Sequence, residues 1–194
     1  MSALVSSLVL LGQPQEFSAA KRSLTRDGDR IHLDARPGDA VAWLKGMSFS
    51  TGTIEFDVRG KDVLQESFVG VAFHGLNDST YEAVYFRPFN FRAADAIRKS
   101  HAVQYIAEPE YGWEKLRTEF PGKYEKEVAP APDPNEWFHV KVVVGDKRVE
   151  VFVNGQTTYC LLVRPTLVNE RGRMLGLWVG NGSDGDFRNL TIFR

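Results

Sequence analysis

Length, composition and charge indicate a globular chain of ordinary character. The 194 residues fit one domain, and the hydrophobic fraction of 43% is enough for a full core. The 24 basic and 25 acidic residues give a formal net charge of -1, so the composition provides no general attraction to nucleic acid or to an anionic membrane. The single cysteine, Cys160, excludes an internal disulfide and a cysteine-built metal site. We expect one domain over residues 1–194 and no nucleic-acid partner.

The N-terminal segment, residues 1–29, precedes the first clearly alternating strand. Its apolar run, Leu8–Leu11, is too short to span a bilayer and follows no Lys/Arg-rich stretch of the kind that begins an export signal. We interpret this run as part of the mature chain and expect no membrane span. A trimmed or replaced export signal is the alternative.

Short alternating strands follow from residue 30 onward. Residues 30–36 and 40–44 flank the turn-forming residues 37–39, and together they predict a β-hairpin. Residues 52–59 carry apolar side chains at every second position, which predicts a strand with one buried face. The further strands predicted in this part of the chain are 68–74, 81–87 and 101–106.

A long insertion covers residues 107–136 and combines several prolines with aromatic residues. This composition predicts an ordered loop with one helical turn near Trp113–Glu119. Trp113, with Tyr111 and Tyr124, is placed to stack on a ligand from the rim of a binding site. The alternative is that these aromatic side chains fasten the loop to the domain, as long ordered loops require.

Residues 137–155 give the clearest structural prediction, two alternating strands around a Gly145-Asp146 turn. Glycine at the first central position suits a type II′ turn, which fixes the pairing of the two strands. One face of this hairpin is then wholly apolar and must be buried. The predicted cross-strand pairs are Phe138 with Val153, Val140 with Val151, Val142 with Val149, Lys141 with Glu150 and His139 with Phe152.

The remaining pattern completes an all-β fold. Strands are predicted at 157–163, 173–179 and 186–193, and no amphipathic helix of about ten or more residues is evident. About ten short strands separated by turn residues predict a two-sheet antiparallel jelly-roll sandwich. Trp43, Trp137 and Trp178 lie within strands and are interpreted as core residues.

Four stretches of the chain form a recognisable set: 49–58, 136–144, 151–155, and 176–180 together with 187–190. They resemble the concanavalin A-like lectin/glucanase superfamily, with bacterial laminin-G-like domains and domains of the 3-keto-disaccharide hydrolase or family 16 glycoside hydrolase type as the nearest relatives. The resemblance runs from about residue 30 to the C-terminus and implies a jelly-roll sandwich whose concave sheet binds saccharides. For such a domain we expect an extracellular or periplasmic location, with a cytoplasmic one as the alternative.

The face opposite the apolar stripe has the composition of a cleft floor. Small side chains lie beside polar ones on it, and a cleft floor must leave room for a ligand while presenting a few fixed donors and acceptors. An ordinary solvated face with one hydrogen-bonded histidine is the alternative. By alternation this face carries Glu55, Asp57, Gly70, Ala72, His74, Ala83, Tyr85, Arg87 and Gln104.

Within this face we predict a saccharide site. Polar contacts to sugar hydroxyls are assigned to four side chains, and stacking against the sugar ring is assigned to an aromatic one. The polar set is Arg87, Asn90, Gln104 and His74, and the stacking candidates are Tyr85 and Trp113.

Two catalytic alternatives remain open. Glu55 and Asp57 are similar to the first two carboxylates of the family 16 motif Glu-x-Asp-x-x-Glu, but the third position is Gly60, which weighs against that site. His74 with Glu82 or Asp57 is a second candidate acid/base pair, for hydrolysis or elimination on a glycan. A lone histidine at a strand end also fits a purely structural role.

Calcium is the one cofactor that the sequence suggests. Residues 181–186 combine oxygen-bearing side chains with glycines, and Asp184 and Asp186 are the candidate ligands, although the full pattern of a dedicated calcium loop is absent. A plain turn before the last strand is the alternative.

The functional prediction is a carbohydrate-binding domain that recognises a saccharide on its concave sheet. One alternative is a glycan-degrading enzyme, a hydrolase or lyase, that uses His74 with a nearby carboxylate. The other is a laminin-G-like adhesion domain that binds a protein through its loops.

Overall fold

The computed structural model describes residues 15–164 and 171–194, and in this part of the chain the fold is a sandwich of two antiparallel sheets. The front sheet has the order β1 (Phe17–Ser18), β4 (Ala40–Leu44), β13 (Met174–Val179), β6 (Val69–Asn77), β7 (Thr80–Phe86), β8 (Val103–Glu108) and β9 (Glu125–Lys126). The back sheet has the order β12 (Leu161–Val163), β11 (Val149–Val153), β10 (Phe138–Val144), β5 (Gly52–Arg59), β14 (Gly185–Phe193), β3 (Arg30–Leu33) and β2 (Leu24–Asp27). This confirms the predicted all-β jelly-roll sandwich.

The core lies between the two sheets and is built by alternation along the strands. In β5, Ile54, Phe56 and Val58 are fully buried, while the residues between them are partly exposed on the outer face of the back sheet. β10 repeats the pattern opposite them, with Val140 paired to Phe56 and Val142 paired to Ile54. Apolar side chains that bury one face per sheet leave the outer faces available for other roles.

The hairpin of β10 and β11 forms as predicted, but its register differs by two residues. Val144 pairs with Val149, and the Gly145 amide donates to the Arg148 carbonyl at 2.9 Å, so the turn is centred on Asp146 and Lys147. A shift of two residues leaves every side chain on its predicted face. In the observed register, the three buried cross-strand pairs all join valine to valine. The same register places Lys141 opposite Phe152, with Nζ 4.4 Å from the ring centroid.

The hairpin predicted around residues 37–39 is wrong. β3 belongs to the back sheet and β4 to the front sheet, so residues 37–39 cross between the sheets. β3 instead forms a hairpin with β2, whose turn uses Gly28 at a φ of 61°. β4 is buried along its whole length, and such a strand does not show the one-sided alternation of a hairpin arm.

Three short helices lie between strands of the front sheet. α1 (Pro88–Phe91) and α2 (Ala96–Lys99) connect β7 to β8, and α3 (Trp113–Glu119) follows β8 at the predicted position. The sequence pattern does not predict α1 and α2. No helix in residues 15–164 and 171–194 has the length and apolarity needed to cross a bilayer. The apolar run Leu8–Leu11 lies outside the described residues.

Candidate functional site

A cavity of about 500 Å³ opens on the outer face of the front sheet. Its floor contains Tyr85 of β7 and Trp178 of β13, whose rings stack with centroids 4.6 Å apart. The walls come from the connections around the sheet, including α1, α2 and α3. Residues lining these walls are Asp39, Leu64, Gln65, Phe68, Phe89, Asn90, Arg98, His101, Trp113, Arg117, Gly180 and Asn181.

Gly70 explains how the two floor rings meet. It pairs with Tyr85 on one side and with Trp178 on the other, so it lies between them in the sheet. A Cβ atom at Gly70 would lie 2.1 Å from the Val84 carbonyl oxygen and 2.6 Å from the Tyr85 Cα atom. Only glycine allows so close an approach. The absent side chain therefore lets Tyr85 and Trp178 close over the central strand.

Arg87 and Gln104 form the polar part of the floor. The Arg87 guanidinium donates through Nη2 to the Tyr85 hydroxyl at 2.6 Å, and that hydroxyl donates to Gln104 Oε1 at 3.0 Å. A further Arg87 bond from Nη1 reaches the His101 carbonyl at 2.9 Å. Burial raises the pKa of Tyr85 to about 12 and lowers that of Arg87. The hydroxyl therefore keeps its proton at neutral pH, and the guanidinium is charged because arginine is not deprotonated in proteins.

A second group beside the cavity centres on Glu125, which is 3% exposed. Arg117 donates to both of its oxygens, with Nε 3.0 Å from Oε1 and Nη2 2.8 Å from Oε2. His101 Nδ1 lies 2.8 Å from Oε2. Burial, as the largest cause, lowers the pKa of His101, so the imidazole is neutral at pH 7. Arg117 is thus already paired with a carboxylate of the protein.

Most of the predicted ligand-binding residues come together at this cavity. Tyr85, Arg87 and Asn90 line it, and Gln104 bonds both Tyr85 and Arg87 beneath it. Trp113 lies at the rim and is 47% exposed, as a residue that stacks from the rim would be. Its loop neighbour Tyr124 is buried and stacks on Tyr105 at 5.9 Å, so that ring fastens the loop to the core.

His74 does not lie on the cavity face, and the alternation that placed it there is wrong. The pairing of β6 with β7 is irregular between Phe73 and Asn77, and His74 has a φ of 52°. This left-handed conformation turns the side chain away from the face that alternation assigns. The ring is 5% exposed and lies against Phe73 and Phe49 of the core.

His74 and Glu82, one of the predicted acid/base pairs, do meet, but between the sheets. His74 Nδ1 lies 2.9 Å from Glu82 Oε1, and the Tyr105 hydroxyl donates to Glu82 Oε2 at 2.6 Å. Arg171 Nε lies 2.9 Å from Glu82 Oε1. The Glu82 side chain is 1% exposed and the His74 side chain 4%. We call these four residues the Glu82 cluster. None of them lines the cavity.

Glu55 and Asp57 lie on the outer face of the back sheet, so the expectation that they share a face with Tyr85 is wrong. Alternation assigns side chains to the two faces of one strand but does not say which sheet the strand joins. Asp57 accepts from His139 Nδ1 at 2.9 Å and from Asn189 Nδ2 at 2.8 Å. Glu55 Oε2 lies 3.9 Å from His139 Nε2.

Asp184 and Asp186 are each held by cations of the protein, an arrangement that does not fit a calcium site. Asp184 lies 2.7 Å from Lys61 Nζ, and Asp186 accepts from Arg59 Nη2 at 2.7 Å and contacts His32 Nδ1 at 2.9 Å. A bound Ca²⁺ would have to displace these positive side chains. Among the described residues, no group of three or more His, Cys, Asp or Glu is arranged to hold a metal ion.

The pairing of Asp186 leads to a pH prediction. Burial alone raises the pKa of Asp186, but hydrogen bonds from Arg59 and His32 outweigh it and hold the pKa below its usual value. The stabilisation by this carboxylate is therefore present above the unfolded-state pKa of about 3.9 and is lost as the pH falls through the lower folded-state value. We expect Asp186→Asn to lower the free energy of unfolding by about 1 kcal/mol at pH 7 and much less at pH 2.5.

Urea unfolding of both proteins at the two pH values measures this difference. A gap between wild type and Asp186→Asn that is unchanged at pH 2.5 would contradict the assignment. Glu66→Gln, at an exposed carboxylate, is the matched control and should show no gap at either pH.

Sequence reasoning missed several lining residues, of which Trp178 matters most. Its side chain is 2% exposed, as expected for a core tryptophan, but it belongs to the cavity floor and not to the space between the sheets. Extending the alternation to β13 would have found it, because Leu175, Leu177 and Val179 face the core and Gly176 and Trp178 therefore face outward. Trp137 was also misassigned, since it lies on the back sheet between Arg59 and Arg188.

Comparison with known proteins finds similarity in structure. No protein-family model and no curated protein matches the sequence. Carbohydrate binding module CBM66 from Bacillus subtilis superposes with a TM-score of 0.68 at 14% identity, over 93% of this chain and 96% of that one.

Two further solved structures show the same architecture. A B. subtilis protein of unknown function with a galectin-like fold gives a TM-score of 0.58 at 11% identity, over 93% of this chain and 88% of that one. The exoplasmic/lumenal domain of VIP36, in its Ca²⁺/Man3GlcNAc-bound form, gives 0.59 at 12% identity, over 92% and 82%. The chain therefore has the two-sheet jelly-roll fold that these solved structures share.

Proposed function

We propose that the protein is a carbohydrate-binding domain that holds a saccharide in the cavity of the front sheet. The observation that carries this proposal is the stacked pair of Tyr85 and Trp178 directly beside the Arg87 guanidinium. Aromatic rings pack against the apolar faces of sugars, and fixed donors bond their hydroxyl groups. A volume of about 500 Å³ suits a small ligand or the end of a chain.

The similar structures support this proposal at the level of the fold. One of them is described as a carbohydrate binding module, and another was solved with Man3GlcNAc bound. Their identities of 14% and 12% are too low to transfer a specific sugar or specific contact residues.

Binding is favoured over hydrolysis by the distribution of carboxylates. A glycosidase usually needs two carboxyl groups on either side of the scissile bond. Asp39 is the one carboxylate among the described residues that line the cavity. Glu125 beside it is engaged by Arg117, and the candidate pairs from the sequence lie elsewhere: Glu55 with Asp57 on the back sheet, and His74 with Glu82 between the sheets.

The proposal predicts that Trp178→Ala weakens saccharide binding by about 10- to 100-fold, because the floor loses one of its two stacked rings. Trp178→Phe keeps an aromatic surface and should keep most of the affinity. A panel of mono-, oligo- and polysaccharides is first screened by thermal unfolding, since a ligand of the folded state raises the midpoint. Calorimetry on the best saccharide then compares the variants.

Trp137→Ala is the matched control, because this tryptophan lies on the opposite sheet. Equal losses in Trp178→Ala and Trp137→Ala would place the binding outside the cavity, and no response to any saccharide would contradict the proposed function. Overnight incubation with the bound saccharide separates the enzyme alternative, since a binding domain returns it intact. A protein partner held by the loops, as in the adhesion alternative, would still bind Trp178→Ala.

A further inference from the structure

Two guanidinium groups at the cavity have only neutral hydrogen-bond partners among the described residues. Arg87 donates to the His101 carbonyl, the Tyr85 hydroxyl and the Gln104 side-chain oxygen. Arg98 donates through Nε to Asn90 Oδ1 at 3.2 Å and through Nη2 to the Phe89 carbonyl at 2.8 Å. Both arginines line the cavity. Two positive charges therefore face the cavity, and neither is bonded to a carboxylate of residues 15–164 or 171–194.

Three other arginines of the fold are each matched by a carboxylate, although the buried Arg22 also donates only to backbone carbonyls, those of Lys21, Gly38 and Gly180. Arg117 is paired with Glu125, Arg59 with Asp186, and Arg188 lies 3.3 Å from Asp57. Positive charges on and beside the sheets are thus commonly matched by a carboxylate of the protein. Arg87 has no such partner in the described part of the chain, although it is only 5% exposed and a buried charge is costly unless it is paired.

The nearby carboxylates, Glu125 and Asp39, do not pair with Arg87. Glu125 accepts from Arg117, and His101 Nδ1 lies 2.8 Å from its Oε2 atom. Asp39 accepts from the Asn181 amide at 2.8 Å and lies before β4, which is three strands from β7 in the front sheet. Aromatic contacts compensate Arg87 in part, since its Cζ lies 4.9 Å from the Tyr85 ring centroid and 5.7 Å from that of Phe68.

Arg98 also keeps donors available for a ligand. A guanidinium has five N–H donors, and the contacts to Asn90 and Phe89 use two of them. The remaining donors have no acceptor within residues 15–164 and 171–194. Those two contacts also fix the plane of the guanidinium at the wall of the cavity. A planar fork with free donors binds a carboxylate or sulfate through two parallel hydrogen bonds.

We propose that the saccharide bound here is acidic, with a carboxylate or sulfate group that bonds Arg98 and is attracted by Arg87. This inference rests on the proposed function and adds the chemical class of the ligand. The anionic group completes the charge balance at the Arg87 and Arg98 end of the cavity, while the sugar ring packs on Tyr85 and Trp178.

The experiment compares three sets of oligosaccharides by calorimetry: uronic-acid oligosaccharides, the same compounds as methyl esters, and sulfated oligosaccharides. We expect the free acids or the sulfated compounds to bind at least about 10-fold more tightly than the neutral esters. Arg98→Gln should weaken binding of the preferred acidic compound by about 10- to 100-fold and leave the affinity for the esters nearly unchanged.

Arg92→Gln is the matched control, because Arg92 is exposed on the same connection but pairs with Asp133 at 2.8 Å and does not line the cavity. It should bind like the wild type. Preference for uronic acids assigns the site to a carboxylate, and preference for the sulfated set assigns it to a sulfate. Equal affinity for acids and esters, together with no effect of Arg98→Gln, would overturn the inference. In that case, loss of neutral-sugar binding in Trp178→Ala would show that the proposed function holds although the ligand is not acidic.

Discussion

Arg87→Met should reduce saccharide affinity by about 100-fold, which we expect to be the largest effect of any single substitution at the cavity. The change keeps an unbranched apolar stem against Phe68 and removes the guanidinium. Two effects contribute to the lower affinity of Arg87→Met. The ligand loses a charged donor, which is worth about 1.5–3 kcal/mol, and the Tyr85 hydroxyl and Gln104 each lose a hydrogen bond from Arg87.

Calorimetry with the saccharide selected by thermal screening measures this loss. Arg87→Lys separates the two contributions, because lysine keeps the charge but not the planar fork. We expect it to recover a minor part of the affinity. A Kd within about threefold of the wild-type value for Arg87→Met would show that the ligand does not occupy this part of the cavity.

Glu82→Ala should produce the largest loss of stability, about 3–5 kcal/mol in the free energy of unfolding. Glu82 is 1% exposed and accepts from Tyr105 while contacting His74 and Arg171. Its removal takes away the carboxylate that the buried Tyr105 hydroxyl and His74 ring share with the partly exposed Arg171. Burial, with the neighbouring Glu82 charge, raises the pKa of Tyr105, so this hydroxyl stays protonated and needs an acceptor.

Urea unfolding at pH 7 tests this expectation, with Glu66→Ala as a control at an exposed carboxylate. Tyr105→Phe removes a single donor and should cost about 1 kcal/mol. A loss below about 1 kcal/mol in Glu82→Ala would contradict a stabilising role for the Glu82 cluster and reopen the acid/base role considered for His74 and Glu82.

For strands that have one buried face, the sequence alone predicts which side chains are buried. Alternation in β5 and β10 correctly predicts which side chains fill the core, because burial of one face requires a period of two. Alternation does not predict which strands pair when they are far apart in the sequence. Nothing in the local pattern says that β5 lies in the back sheet and β7 in the front sheet, so Glu55 was placed on the wrong sheet.

At the site, the sequence predicted the residues that follow regular alternation and missed those set by irregular backbone. Tyr85, Arg87 and Gln104 come together as expected from β7 and β8. His74 departs because a single left-handed residue reverses the direction of its side chain. Arg98 depends on the short helix α2, whose N-cap Asp95 accepts from the Ile97 and Arg98 amides. Short helices of this kind have no hydrophobic periodicity to detect.

Gly70 lies between the two rings of the cavity floor and does not accept substitution, whereas residues of the walls can be exchanged. Any larger residue there would collide with the Val84 backbone, so the aromatic floor is fixed by the packing of three strands. The part of the walls that holds Arg98 and Trp113 is carried instead by the connections from β7 to β8 and from β8 to β9, outside the hydrogen-bonded ladders. Ligand preference can therefore be redesigned by exchanging wall residues such as Arg98 or Trp113 while folding stability is left nearly intact.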